Sequence, residues 1–231
     1  MKAFLLAAGL GTRLRPITET TPKCLVPVGG RPLLSYWMDL LEAQGVDQVL
    51  INLHHLPEPV LRFAREYRGA VRIETVMEPE LLGSAGTLYA NRSFVEGEDQ
   101  FLILYADNLV DLDLAPLIAF NARHPAPLTV GLMRLENPSA RGIALLGDDG
   151  TIVDFEEKPA RPKSDLASTG LFAARGTLFD AIDPDRRPCD LGGDVMPGLV
   201  GRMNGVELHG YLRDVGTLES LAAAEREWNG R

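Results

Sequence analysis

The chain is poor in cysteine, in uninterrupted apolar sequence and in positive charge. Its 231 residues include two cysteines, Cys24 and Cys189, which form neither a metal-ligand pattern nor a disulfide framework. Each is free to pack as a small apolar residue. No run approaches the roughly 18 apolar residues of a membrane span, so no membrane partner is expected. The formal net charge of −9 argues against general nucleic-acid binding. It does not exclude a small anionic ligand, because local cations decide that. Nothing reads as a signal peptide: the apolar start breaks at Gly9 and then turns basic, the reverse of the usual order. A cytoplasmic protein is the resulting expectation. Repeats, low-complexity tracts and clear linkers are also missing. With 45% hydrophobic and 24% charged residues, this length suits one large α/β domain.

What is present is concentrated near the start. Ala3-Phe4-Leu5-Leu6 reads as a buried first strand. Gly9 and Gly11 then let the backbone turn tightly and approach a ligand. Arg13, Arg15 and Lys23 follow, with no acidic residue between Gly9 and Ile17. A strand, a glycine turn and clustered cations match the needs of a bound triphosphate. Backbone N–H groups hold phosphate oxygens and the side chains neutralise their charge. Two better-known phosphate loops do not fit. Leu14 stands where a dinucleotide fingerprint needs its third glycine, and no Gly-Lys-Ser/Thr tripeptide closes a Walker loop. A structural turn with solvated arginines is the plain alternative.

Periodicity orders the rest. Gly29 to Pro32 reads as a turn with Pro32 at a helix start. Leu33, Leu34, Trp37, Leu40 and Leu41 recur at helical spacing to about Ala43, and Gly45 ends the helix. Residues 49–53 form a second strand, 57–67 a second helix, and Val71, Ile73 and Val76 mark a third strand. This β-α-β-α-β order argues for a parallel sheet covered by helices. His54 and His55, adjacent after a strand, read as loop or packing residues. Leu82 to Gly86 reads as a glycine turn opening a helix with Ser84 as N-cap. Residues 100–105 form a fourth strand ending in Ala106-Asp107-Asn108. A carboxylate there lies at the crevice where α/β sheets bind ligands, well placed to hold Mg²⁺, although an aspartate at a strand end is often only a turn former.

Further along, 113–124 reads as a helix and 128–133 as a strand. A hairpin joins 143–146 to 152–155 through Asp148-Asp149-Gly150. Glu156-Glu157-Lys158 ends it, on its own merely a surface charge cluster. Ser168-Thr169-Gly170 opens another strand, residues 194–200 a short helix, 206–212 the last strand, and 217–228 the final helix. Asp214 either caps that helix or serves the site.

The string from Gly9 to Pro16, Gly-x-Gly-Thr-Arg-Leu-Arg-Pro, followed by Pro22-Lys23-x-Leu25-x-Pro27-Val28, resembles the signature of the sugar-1-phosphate nucleotidyltransferases, or nucleotide-sugar pyrophosphorylases. The resemblance implies an α/β, Rossmann-like, mostly parallel sheet flanked by helices, with a small β-hairpin sugar-binding subregion. It implies one catalytic domain over 1–231, because relatives with a β-helix or second domain are longer. A nucleoside triphosphate would lie on Ala8, Gly9, Gly11, Thr12 and Arg13, with Arg15 and Lys23 steadying its phosphates. Gly83, Ser84 and Gly86 would lie along the base. The form Leu-Gly-Ser-Ala-Gly resembles guanylyltransferases acting on mannose-type 1-phosphates, and the glutamine-containing form of thymidylyltransferases is missing.

For the acceptor, the resemblance implies Asn108, Gly142, Glu157, Lys158 and Ser168 around a sugar 1-phosphate, with Lys158 on its phosphate. Asp107 and Asp214 would share the metal. Two departures stand out: Ala106 where glycine is usual, and Ser168 where asparagine is usual. The expected reaction is transfer from GTP to mannose or manno-heptose 1-phosphate. Uridylyl transfer to a hexose or N-acetyl amino sugar phosphate is the runner-up. A non-catalytic regulatory subunit that binds nucleotide sugars would be expected to lack Arg15, Lys23 or an aspartate, and all are present. A homo-oligomer is compatible with the sequence.

Overall fold

The structure, a computed structural model, describes residues 1–136 and 138–230. Asn137 and Arg231, the end of the expected domain, lie outside the described residues.

Strand β1 (Lys2–Leu6) is the centre of the molecule. A hairpin of two-residue strands, β2 (Pro27–Val28) and β3 (Arg31–Pro32), leads into helix α1 (Leu33–Ala43). Gly45 ends that helix at φ 69°, a conformation that costs glycine little. Then come β4 (Gln48–Leu53), α2 (Pro57–Glu66), β5 (Arg72–Met77), α3 (Ser84–Ala90) and β6 (Phe101–Tyr105). β1 pairs in parallel with both β4 and β6, and β4 pairs in parallel with β5. The expected central parallel sheet is therefore present. Its strands alternate between two cores. Phe4, Leu50, Phe101 and Ile103 face one, while Ala3, Leu5, Val49, Ile51, Leu102 and Leu104 face the other. Apolar residues at successive positions were thus the mark of strands buried on both faces.

Beyond β6 the sheet reverses. β7 (Asn108–Leu112), α4 (Ala115–Arg123), β8 (Leu128–Arg134), β9 (Gly142–Leu146), β10 (Ile152–Glu157) and β11 (Leu166–Ala174) follow. β11 runs antiparallel to β6, β8 and β9, and the β9–β10 hairpin forms where expected. Between Ser168 and Phe172 the β11–β8 register shifts, and Gly170 there has φ 77°. This irregularity turns Ser168 and Thr169 toward the site, a common use of a bulge. β12 (Asn204–Glu207), β13 (Gly210–Asp214) and α5 (Leu218–Trp228) complete the chain.

Three expectations need correction. The single strand over 206–212 is two strands in different sheets: β12 pairs with β8, and β13 pairs with β7. The break falls at Gly210, whose φ of 134° suits glycine. β7 itself went unread, because only two residues separate it from β6. Helix α3 begins at Ser84, and Gly83 occupies the capping position without a side-chain bond. The segment read as a helix over 194–200 is a wide turn of π type, Leu191–Val195, followed by a 3-10 turn, Met196–Leu199.

The β7–β13 ribbon carries a third, small core of Val28, Leu33, Tyr36, Leu109, Val215 and Ala224, covered by α5. Thr217 caps α5, its Oγ1 accepting the Ser220 N–H at 3.1 Å.

Phe101 is fully buried, edge-on to Phe4 and stacked on Phe179. Phe101→Ala is expected to cost about 3–5 kcal/mol. Urea unfolding should show this as a lower midpoint with an unchanged slope.

Candidate active site

The glycine turn after β1 is held from behind. Gly11 has φ 61°, and its carbonyl accepts the Thr18 hydroxyl at 2.7 Å. Buried Leu14 anchors the short turn Thr12–Leu14. Gly9 has open space where a Cβ would stand, and it borders a cavity of about 580 Å³. Ala8, Gly9, Gly11, Thr12, Arg13 and Lys23 all line this cavity. Arg15 is exposed and is not among its lining residues. His54 and His55 bond the carbonyls of Glu78 and Thr18, the packing role expected of them. Cys24 borders the cavity, but burial pushes its thiol up to about 12, so it stays protonated.

A buried polar network forms one wall. Asn52 accepts the Ala7 N–H at 2.7 Å and donates to Glu78 Oε1 at 2.9 Å. The Thr87 hydroxyl also donates to Glu78 Oε1, at 2.5 Å. Glu78 Oε2 accepts only a 3.3 Å bond from the Leu82 N–H. The Glu78 carboxylate thus borders the cavity at 3% exposure with spare acceptor capacity on Oε2.

The turn at Leu82–Gly86 is shaped by a distant segment. A Cβ on Gly83, at φ 78°, would stand 2.3 Å from the Cys189 carbonyl oxygen. That carbonyl accepts the N–H groups of both Ala85 and Gly86, and the Cys189 N–H donates to Leu82. The N–H groups of Ala85 and Gly86, in the first turn of α3, are therefore spent within the protein. Gly83 and Ser84 line the first cavity, whereas Gly86 packs beside Leu82 and Cys189. The Ser84 hydroxyl donates to Asp190 Oδ2 at 2.9 Å and accepts the Leu191 N–H at 2.7 Å.

The two aspartates meet as expected. β13 pairs Asp214 with Asn108 on β7, and the Val215 N–H donates to the Asp107 carbonyl at 2.9 Å. Lys23 Nζ lies between the carboxylates, 2.7 Å from Asp107 Oδ2 and 3.7 Å from Asp214 Oδ1. Asp214 Oδ1 is buried and makes no hydrogen bond, so one acceptor beside Asp107 is left over. Among the described residues no group of three or more metal-binding side chains forms. Two carboxylates suit a magnesium ion, which takes its remaining ligands from water and phosphate.

A second cavity of about 470 Å³ adjoins the first, and both share Arg13, Tyr105, Asp107 and Asp190. Asn108, Gly142, Glu157, Lys158 and Ser168 line it, so the five residues expected around a sugar phosphate come together. Cβ atoms on Gly142 or Gly192 would approach Glu157 Oε2 to 2.8 and 2.9 Å. Lys158 has φ 50° and is 66% exposed, with Nζ 3.3 Å from Glu157 Oε1. Burial, with the charge of Asp190, raises the Tyr105 hydroxyl above the usual phenol range.

Four residues here escaped the sequence reading. Glu78 and Arg141 were given no role, and Asp190 lay outside any motif. Gly216 was part of a matched motif without a role. A Cβ on it would stand 2.5 Å from Asp214 Oδ1, 3.0 Å from Arg13 Nη2 and 3.2 Å from Lys23 Nζ. Three charged groups converge on that bare backbone.

Residues 2–229 match the family model described as nucleotidyl transferase. The UTP–glucose-1-phosphate uridylyltransferase of Synechocystis sp. is 35% identical over 87% of this chain and 55% of its own length. The mannose-1-phosphate guanyltransferase of Schizosaccharomyces pombe is 32% identical over 94% of this chain and 61% of its own. The chain therefore spans somewhat over half the length of these relatives. A putative glucose-1-phosphate thymidylyltransferase from Bacillus anthracis, solved in complex with sucrose, superposes with a TM-score of 0.85 at 26% identity, covering 98% of this chain and 94% of that one.

The glycines should separate by substitution. Gly83→Ala meets backbone and a left-handed φ together, and should destabilise by about 2–4 kcal/mol. Gly9→Ala, in open space, should stay within about 0.5 kcal/mol of wild type. Thermal melts of the two variants check the contrast.

Proposed function

Since the chain belongs to the nucleotidyl transferase family, we propose that it transfers a nucleotidyl group from a nucleoside triphosphate to a sugar 1-phosphate and releases pyrophosphate. The preferred pair is GTP with mannose or manno-heptose 1-phosphate. The carrying observation is the pair of adjoining cavities whose shared wall is Arg13, Tyr105, Asp107 and Asp190. A donor in the first and an acceptor in the second would meet at the Lys23–Asp107–Asp214 cluster.

A phosphate oxygen of the acceptor attacks the α-phosphorus in line. The new P–O bond forms as the bond to the bridging oxygen breaks, and that electron pair leaves with pyrophosphate. The nucleophile is already anionic, so positioning and charge neutralisation replace a general base. The backbone from Ala8 to Thr12 cradles the triphosphate. Arg13 neutralises the departing pyrophosphate, and exposed Arg15 serves as an outer cation. Lys23 sits at the α-phosphate, Glu157 orients the sugar and Lys158 its phosphate. Asp107 and Asp214 have the donor set for Mg²⁺, which would supply Lewis-acid charge neutralisation at the phosphates when bound.

Glu78 supports the choice of guanine. A buried carboxylate accepts from a base edge that carries N–H donors, and guanine offers N1–H beside its amino group. The spare capacity of Oε2 fits such an edge. The similarity to a uridylyltransferase keeps uridylyl transfer to a hexose phosphate as the second reading.

Pyrophosphate release, measured with Mg²⁺ over five nucleoside triphosphates crossed with mannose, heptose, glucose and N-acetylglucosamine 1-phosphates, tests the pairing. Selective turnover of GTP with a manno sugar is the expected result, and turnover of UTP with glucose 1-phosphate would establish the second reading. Asp107→Ala should abolish turnover, and wild-type rates would exclude its metal role. Glu78→Gln should lower kcat/KM for GTP about tenfold or more while sparing UTP.

A further inference from the structure

Arg141 is a cation inside the second cavity with no anion bound to it in the fold. Its guanidinium makes three long bonds to neutral oxygens. Nη1 donates to the carbonyls of Ser168 and Thr169 at 3.3 and 3.4 Å, and Nη2 to Asn108 Oδ1 at 3.4 Å. Among the described residues no carboxylate oxygen forms an ion pair with it within 4.0 Å. Burial lowers its pKa below the usual guanidinium range, and the charges of Asp214 and Asp107 act on it from farther away. It stays protonated regardless.

The geometry of what is left matters. A guanidinium has five N–H donors, and these bonds occupy two on Nη1 and one on Nη2. The Nε–H and one Nη2–H remain, a fork that matches two oxygens of a phosphate. The cavity walls also carry Asp107, Asp190, Asp214 and Glu157, with Arg13 and Lys158 as the other cations. A phosphate entering among four carboxylates needs opposing charge close by. Lys23 is already held by Asp107, Arg13 is exposed, and Lys158 is largely solvated beside Glu157. Arg141 has neither limitation.

We propose that Arg141 is the partly buried anchor of the acceptor's phosphate, gripping two of its oxygens side-on while Asn108 and the irregular start of β11 fix the opposite edge of the guanidinium. This rests on reading the second cavity as the acceptor site. Lys158 then guides the phosphate from the solvent side, and Arg141 sets its final position. A neutral sugar leaves the partly buried guanidinium unpaired and binds poorly.

Steady-state kinetics of Arg141→Met and Arg141→Lys, with folding checked by thermal melts, supply the test. For Arg141→Met the KM of the sugar 1-phosphate should rise about tenfold to a hundredfold, with the KM of the triphosphate within about twofold of wild type. Arg141→Lys should recover only part of the loss, because a point charge lacks the fork. Calorimetric titration with orthophosphate should show binding to wild type that Arg141→Met loses. An unchanged acceptor KM in both folded variants would overturn the proposal and leave the transferase reading standing. Equal losses for donor and acceptor would also overturn it, in favour of simple charge balance against Asp107 and Asp214. Orthophosphate binding that depends on Arg141, in a protein with no turnover on any substrate pair, would keep the anchor and refute the transferase reading. No turnover and no orthophosphate binding would refute both.

Discussion

Two carboxylates in one corner of a protein repel unless a cation stands between them, and this molecule is arranged around meeting that condition. Lys23 Nζ lies 2.7 Å from Asp107 and 3.7 Å from Asp214. The three residues come from a loop, the turn after a central strand and the end of a peripheral ribbon. None of the three is close to the others in sequence. The β7–β13 ribbon closes that distance by setting Asp214 opposite Asn108. The ribbon in turn stands on its own small core beneath α5. Removing the apolar contacts of α5 would therefore disturb the electrostatics of the site, to which α5 is also joined by the Ser220 hydroxyl donating to the Asp214 carbonyl. Gly216 belongs to the same constraint, since the backbone must pass close to all three charges.

A second linkage runs across the mouth of the site. The segment around Cys189 bonds the first turn of α3, and Asp190 takes the Ser84 hydroxyl. Two residues on, Gly192 makes room for the Glu157 carboxylate of the other cavity. One short stretch thus sets the position of groups in both cavities. The arrangement gives Gly83 a structural reason to be glycine, independent of any ligand. The same holds for Gly142, where a Cβ would meet the Phe155 ring at 2.3 Å.

What could be read from the sequence followed physical range. β1, β4 and β6 were legible because burial on both faces leaves a run of apolar residues. Lys23 was legible because a long motif carried it, Asp107 because it follows a buried strand at the sheet's crevice, and Asp214 only through resemblance. The ribbon was not: Asn108–Leu112 looks like the tail of β6, and only its partner a hundred residues away makes it a strand. The split between β12 and β13 was hidden for the same reason, with Gly210 as its only local sign. Gly86 was read as following the base, yet its N–H is spent on Cys189, a contact that local sequence cannot announce. Arg141 sat in a hairpin entry, where an arginine ordinarily means solvent.

The reversal of the sheet explains why there are two cavities. β1, β4 and β6 end side by side, and the paired residues Leu6, Asn52 and Tyr105 near those ends border the first cavity. A parallel sheet offers ligands this one edge. Because β11 enters antiparallel, its beginning rather than its end reaches the same edge. Its irregular stretch at Ser168–Gly170 then lies against Tyr105, one of the four residues common to both cavities. A further parallel strand would have brought another strand end and extended a single crevice. The antiparallel strand instead brings a hairpin, and with it Arg141, Glu157 and Lys158, to face the ends of the parallel strands. A net charge of −9 does not prevent an anion site here, because the reversal gathers cations from distant parts of the chain onto one edge.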